Sequence, residues 1–120
     1  MDSILGTVIK GKQRGKDLGF PTANVPLTQK IPEGIYISRI TVKDMTYPAL
    51  TFIGSAKTFQ ETDYQAETYI LDFDEDIYNL SVSIQLLKKI RDNMQFSSAE
   101  ELIIQMEEDT KVARAYFEKQ

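Results

Sequence analysis

The chain predicts a mainly β protein, a small antiparallel barrel with one C-terminal helix, as a single domain over residues 1–120. Three observations carry this. Five or more short segments are apolar or alternate with period two, which is the pattern of strands. No helical period separates them, which argues against parallel βαβ architecture. The one long 3.6-residue period opens at a capping box close to the C-terminus.

Taken in order, Ile4–Lys10 is apolar and β-branched and stops at Gly11. Gly34–Val42 alternates, with Ile35, Ile37, Arg39 and Thr41 on one face and Tyr36, Ser38, Ile40 and Val42 on the other. Thr46–Ile53 pairs with it across Lys43-Asp44, a tight turn, and Pro48 is expected at an edge or bulge because it cannot donate to a ladder. Gln65–Phe73 and Leu80–Ile90 are expected to form a further hairpin across the acidic Asp74-Glu75-Asp76. At the end, Ser98 and Glu101 make the capping box, followed by Leu102, Ile103, Met106, Thr110, Ala113 and Phe117 at steps of three and four. That helix covers the open end or side of the sheet, and Glu100, Glu107 and Glu108 form a solvated outer face.

Composition narrows the chemistry. There is no cysteine and no histidine, which removes disulfides, thiolate metal sites, cysteine nucleophiles and histidine bases. Acid–base work falls to Asp, Glu, Lys or Tyr, and any metal would be a hard cation on oxygen ligands, with Mg²⁺ leading. The net charge of −4 argues against general nucleic-acid binding, as does the lack of a basic-aromatic stripe. Residues 1–30 nevertheless carry five basic side chains against two acidic ones, which suits a small, multiply charged anion. No apolar run approaches the ~20 residues of a membrane span, and the N-terminus does not read as a secretory signal, so a soluble cytoplasmic protein is expected.

Two glycine-bearing stretches bear on an anion. Gly6-Thr7-Val8-Ile9-Lys10-Gly11-Lys12-Gln13 nearly spells a P-loop, but Gln13 lacks the hydroxyl that would bind Mg²⁺, and no amphipathic helix follows. Downstream, GKDLGFPTAN spans Gly15–Asn24. A plain turn accounts for Gly15, Gly19 and Pro21. It does not account for Lys16, Thr22 and Asn24. In an extended segment Thr22 and Asn24 project from the same face, so their neutral oxygens beside a basic glycine loop are a seat for Mg²⁺ bridging nucleotide phosphates.

The run Gly6-x-Val8-x-x-Gly11-x-x-x-Gly15-Lys16-x-Leu18-Gly19-Phe20-Pro21-Thr22-Ala23-Asn24 resembles the signature of riboflavin kinases, which also occur as the C-terminal half of bifunctional riboflavin kinase/FAD synthetases. Gly34-Ile35-Tyr36, Glu67–Phe73, Asp76-Ile77-Tyr78, and Ile90-Arg91-Asp92 with Phe96-Ser97-Ser98, Glu101-Leu102 and Asp109 continue the likeness over nearly the whole chain. The resemblance implies a closed six-stranded Greek-key barrel and ATP-dependent phosphorylation of riboflavin to FMN. It further implies that Thr22 and Asn24 hold Mg²⁺ and the nucleotide phosphates. Gly11, Gly15 and Lys16 would shape the loop over the nucleotide, with Tyr78 near it. Glu67 would be the catalytic base toward the ribityl 5′-hydroxyl, and Arg91 and Phe96 would lie beside the flavin. Without the resemblance, Glu67 reads as an ordinary strand glutamate, and Arg91 as a surface ion pair of small energetic weight.

The chain departs from the family pattern in places. The family's Asn is Phe52 and its Pro is Lys57, while Tyr69 stands at a common histidine and Asn79 at a glycine. Two functions of different class therefore stand: an active kinase, and a flavin- or nucleotide-binding module of the same fold with a regulatory role. An adenylyltransferase domain for FAD synthesis, beside or fused to this one, is the macromolecular partner the resemblance implies.

Overall fold

A computed structural model describes residues 3–9, 22–55, 64–73 and 75–119. The strands are β1 (Ser3–Thr7), β2 (Thr22–Pro26), β3 (Gly34–Val42), β4 (Met45–Ser55), β5 (Tyr64–Ile70) and β6 (Ser81–Arg91), followed by helix α1 (Ala99–Glu118). They form one sheet in the order β1-β6-β3-β4-β5-β2, with every neighbouring pair antiparallel. Strands β3, β4 and β5 follow one another, and β6 returns beside β3, which is the Greek-key order. The sheet nearly closes where the chain runs on past β1: the Ile9 amide donates to the Asn24 carbonyl at 2.8 Å.

The expected β5–β6 hairpin does not form. Strand β5 pairs with β4 and β2, whereas β6 pairs with β3 and β1. The connection between them is no tight turn. The Leu71 amide bonds to the Pro48 carbonyl at 3.0 Å, and the Asn79 amide bonds to the Val8 carbonyl at 2.9 Å, which carries the chain across the barrel end. Alternation fixes which face a strand buries and leaves its partner open, so pairing by proximity in sequence misled here. Pro48 lies within the β3–β4 ladder, opposite Arg39, and its other side is a local edge of β4, as its missing donor requires. Its carbonyl serves Leu71, so its nitrogen faces the side where β5, whose ladder with β4 starts at Ala49–Ile70, has already ended.

The β3–β4 turn is as expected: Lys43 and Asp44 both take positive φ (50° and 66°) between the paired Val42 and Met45. The alternation of β3 also holds. Tyr36, Ile40 and Val42 join Ile4, Val25, Ile53 and Ile84 in the barrel interior, while Ile35 and Ile37 belong to a second apolar layer with Leu50 and Ala113 of α1. The first half of β3 is consequently buried on both faces. The interior also holds a chain of hydroxyls, Ser38 to Thr51 at 2.8 Å and Thr51 to Thr68 at 2.9 Å, which keeps three buried polar groups paired.

Helix α1 begins as its sequence dictates. The Ser98 hydroxyl accepts from the Glu101 amide at 3.2 Å. Glu101 reaches back one residue further than the usual box, accepting from the Ser97 amide at 2.9 Å and the Ser97 hydroxyl at 2.7 Å. Near the other end, Arg114 donates through both terminal nitrogens to Asp72, each at 2.9 Å.

These contacts make helix docking acid-sensitive. The Arg114 hydrogen bonds hold the Asp72 carboxyl below its usual value of 3.8, and those from Ser97 hold Glu101 below 4.5. Both groups are depressed in the folded state, so their stabilisation is present above those values and is lost as pH falls through the lowered ones. The double variant D72N/E101Q is therefore expected to show a shallower acid limb than the native chain in urea titrations below about pH 4.5.

Candidate active site

Strand register brings three of the described site residues singled out in the sequence, Asn24, Glu67 and Arg91, onto one line. Asn24 of β2 pairs with Glu67 of β5, Glu67 with Phe52 of β4, Phe52 with Ile35 of β3, and Ile35 with Arg91 of β6. Directly opposed residues share a face, so this rung runs along the outer surface of the barrel wall. Neighbouring strands lie ~4.8 Å apart, which puts Glu67 one strand from Asn24 and Arg91 about four strands, roughly 19 Å of wall, away. Sequence spacing alone could not have placed Glu67, forty-three positions downstream, opposite Asn24.

Thr22 and Asn24 do share a face, as the extended reading requires, since each alternates with the interior residues Ala23 and Val25. Asn24 is fully buried. Its Oδ1 and Nδ2, and the Thr22 Oγ1, are buried without a hydrogen-bond partner among the described residues. Each such group costs about 1–3 kcal/mol if nothing completes it, so three together are a strong mark of a ligand seat. The donor set decides what fits. Among the described residues no three of His, Cys, Asp and Glu gather around a point, so there is no all-protein metal cage. Two neutral oxygens suit instead a hard cation that arrives already bound to phosphates and keeps part of its water, which is how Mg²⁺ is commonly held.

Beside Thr22 opens a cavity of about 290 Å³ at the end of the barrel. Val8, Ala23 and Ile70 give it apolar walls, Phe73 and Tyr78 add aromatic ones, and Glu75 and Asp76 line it as well. Asp76 is tied to the backbone, accepting from the Tyr78 amide at 2.9 Å, which fixes the loop that carries Tyr78. The sequence singled out Tyr78 but missed the apolar walls, in which Val8, Ala23 and Ile70 come from three distant parts of the chain and leave no local signal.

Arg91 is more firmly held than a surface ion pair. Its Nε donates to Asp109 Oδ1 at 2.9 Å, one terminal nitrogen donates to Asp109 Oδ2 at 2.7 Å, and the other to the Asp92 carbonyl at 3.0 Å. Gln105 adds a bond to the same Asp109 at 3.0 Å. The Asp109 side chain is 7% exposed and that of Arg91 18%. The signal for this clamp was in the sequence: Asp109 falls on the apolar stripe of α1, between Met106 and Ala113, where a carboxylate needs a partner. Truncating it leaves a largely buried guanidinium unpaired, so Asp109→Ala is expected to cost about 2–4 kcal/mol in urea denaturation. Phe96 is half-buried in the connection from β6 to α1. Gly11, Gly15, Lys16 and Lys57 lie outside the described residues.

A small antiparallel barrel with three buried, unpartnered polar atoms, an adjoining partly apolar cavity and a carboxylate on the same rung has the features of a small-molecule-binding barrel. Comparison with known proteins makes that class specific. The family described as "Flavokinase: Riboflavin kinase" matches residues 2–117. The trifunctional protein RibF/MnmA of Mycoplasmoides gallisepticum is 42% identical over 98% of this chain and 18% of its own length. The bifunctional riboflavin kinase/FMN adenylyltransferase of Listeria monocytogenes is 37% identical over 95% of this chain and 38% of its own. Among solved structures, one titled a macrolide-efflux protein from Streptococcus pneumoniae superposes with a TM-score of 0.85 at 33% identity, over 93% of this chain and 38% of that one. The riboflavin kinase of Trypanosoma brucei gives a TM-score of 0.69 at 26% identity, over 98% of this chain and 80% of that one. The chain belongs to the riboflavin kinase family. It spans less than two fifths of the length of the curated bacterial relatives it matches. No helix among the described residues is long and apolar enough to cross a membrane.

Proposed function

We propose that this domain transfers the γ-phosphoryl group of ATP to the ribityl 5′-hydroxyl of riboflavin, giving FMN and ADP. Family membership supports the reaction, and the observation that carries the residue assignment is the pairing of Glu67 with Asn24. That register sets a carboxylate about one strand spacing, ~5 Å, from the orphaned oxygens. A hydroxyl seated beside Glu67 then faces a phosphoryl group seated at Thr22 and Asn24.

Phosphoryl transfer demands positioning and charge neutralisation more than covalent participation. Thr22 Oγ1 and Asn24 Oδ1 would hold the metal-bound phosphates, and Mg²⁺, when bound, would supply countercharge there. Glu67 orients the 5′-hydroxyl and accepts its proton as the oxygen bonds to phosphorus and the bond to the ADP oxygen breaks. The cavity beside Thr22 takes the uncharged end of the nucleotide, where apolar and aromatic walls and two carboxylates suit a base and ribose better than phosphate. Tyr78 packs near that end. The family resemblance assigns Gly11, Gly15 and Lys16, which lie outside the described residues, to the nucleotide as well. Arg91, clamped by Asp109, and Phe96 border the flavin. The FMN produced is the substrate of an adenylyltransferase of the kind the bacterial relatives' names include.

The test is direct: purified protein with riboflavin, ATP and Mg²⁺, read by chromatographic separation of FMN from riboflavin. FMN formation supports the reading. A folded protein that binds riboflavin but forms no FMN under varied divalent metal would replace it with the non-catalytic flavin-binding module.

A further inference from the structure

Phe52 is, with Ile35, one of the two side chains between the carboxylate and the guanidinium on the rung, and it stands where the family pattern has asparagine. Its neighbours decide what it does there. It pairs with Glu67 on one side and Ile35 on the other, so its Cβ lies ~5 Å from that of Glu67. Two residues on, on the same strand, Gly54 has no side chain. A Cβ built there would meet the Phe52 ring at 2.9 and 3.0 Å and the Asn93 amide nitrogen at 3.2 Å. The ring therefore lies over Gly54, along the strand, instead of standing off the sheet. Asn93 is itself fixed, donating to Glu33 at 3.2 Å and to the Ile53 carbonyl at 3.4 Å. Phe52 packs against the apolar layer of Ile35, Leu50 and Ala113 and remains half-buried. The ring thus leaves the strand on the Glu67 rung, reaches over Gly54 and keeps part of its surface exposed.

We propose that Phe52 is a specificity-determining residue that receives the flat ring system of the substrate. A fused, uncharged heteroaromatic carrying a polyol chain lays its ring on Phe52, while the chain carries its terminal hydroxyl to Glu67. The polar contact an asparagine would make is replaced by stacking and apolar burial, and Gly54 is the void that lets the ring lie low enough to serve as a floor. This inference rests on the reading of Glu67 as the site of the reacting hydroxyl.

The experiment compares the native chain with Phe52→Asn, Phe52→Leu and Gly54→Ala. Steady-state kinetics with varied riboflavin and varied ATP would be combined with inhibition by lumichrome, a ring system without the ribityl chain. An aromatic contact of this kind contributes about 0.5–1.5 kcal/mol, so Phe52→Asn is expected to raise the riboflavin KM and the lumichrome inhibition constant together, by roughly 2- to 13-fold. The ATP KM stays unchanged. Gly54→Ala, which keeps the ring but lifts it, moves the same two constants in the same direction, and Phe52→Leu falls between. If Phe52 only packs the wall, the variants lower the melting temperature and leave both constants at native values, which overturns the proposal. Failure of the native chain itself to phosphorylate riboflavin would instead overturn the reading on which it rests.

Discussion

Glu67→Gln is expected to reduce riboflavin phosphorylation by about 10²- to 10⁴-fold, the range that loss of a positioned general base produces. Glutamine matches the shape of the carboxylate and can still accept a hydrogen bond from the 5′-hydroxyl, but it cannot take the proton. The loss should therefore fall on kcat, with the riboflavin and ATP KM values near native. Glu67 is half-exposed on the outer wall, away from the barrel interior, so the variant should fold and melt like the native chain. Paired kinetics and thermal melts check both halves. A variant with full activity would move the base elsewhere, whereas a collapse of the riboflavin KM alone would recast Glu67 as a binding residue.

The second large effect is a separation of stability from binding. Thr22→Val and Asn24→Leu replace the three buried atoms that have no partner among the described residues with apolar groups of similar size. Removing an unsatisfied buried group is neutral or favourable, so both apo variants should be as stable as the native chain or more stable by about 1–2 kcal/mol in urea. Ligand response should vanish. A native domain held at a hundredfold excess of Mg-ATP over its dissociation constant gains about 2.7 kcal/mol, and the variants should gain none. Phosphorylation should be lost with it. Variants that are destabilised without ligand and yet keep their nucleotide response would show that Thr22 and Asn24 serve the fold and that the phosphates sit elsewhere.

The contrast between these two sites explains what could be read early. Thr22 and Asn24 are two residues apart in one strand, so their shared face follows from the pleat alone. The Lys43-Asp44 turn and the Ser98 cap are local in the same way, each set by a few neighbouring residues and backbone angles. Glu67 had no such signal of its own. It alternates with Tyr69 like any strand glutamate, and only the family resemblance singled it out. The β5–β6 pairing failed for the same reason in reverse, because hydrophobic alternation is silent about partners and β6 crosses the barrel end to reach β3. Arg91 was read locally as a surface pair, since its buried partner Asp109 comes from a helix eighteen residues away.

By itself, then, the sequence determined the class of fold, the helix and its cap, the absence of histidine and cysteine chemistry, and the paired oxygens of β2. Those properties depend on residue type and on periods of two and 3.6, which the chain carries wherever it folds. The tertiary structure alone decided the order of the strands, the rung from Asn24 through Glu67 and Phe52 to Arg91, and the cavity beside Thr22. Register is a relation between distant segments, set by how both faces of the sheet bury their side chains at once.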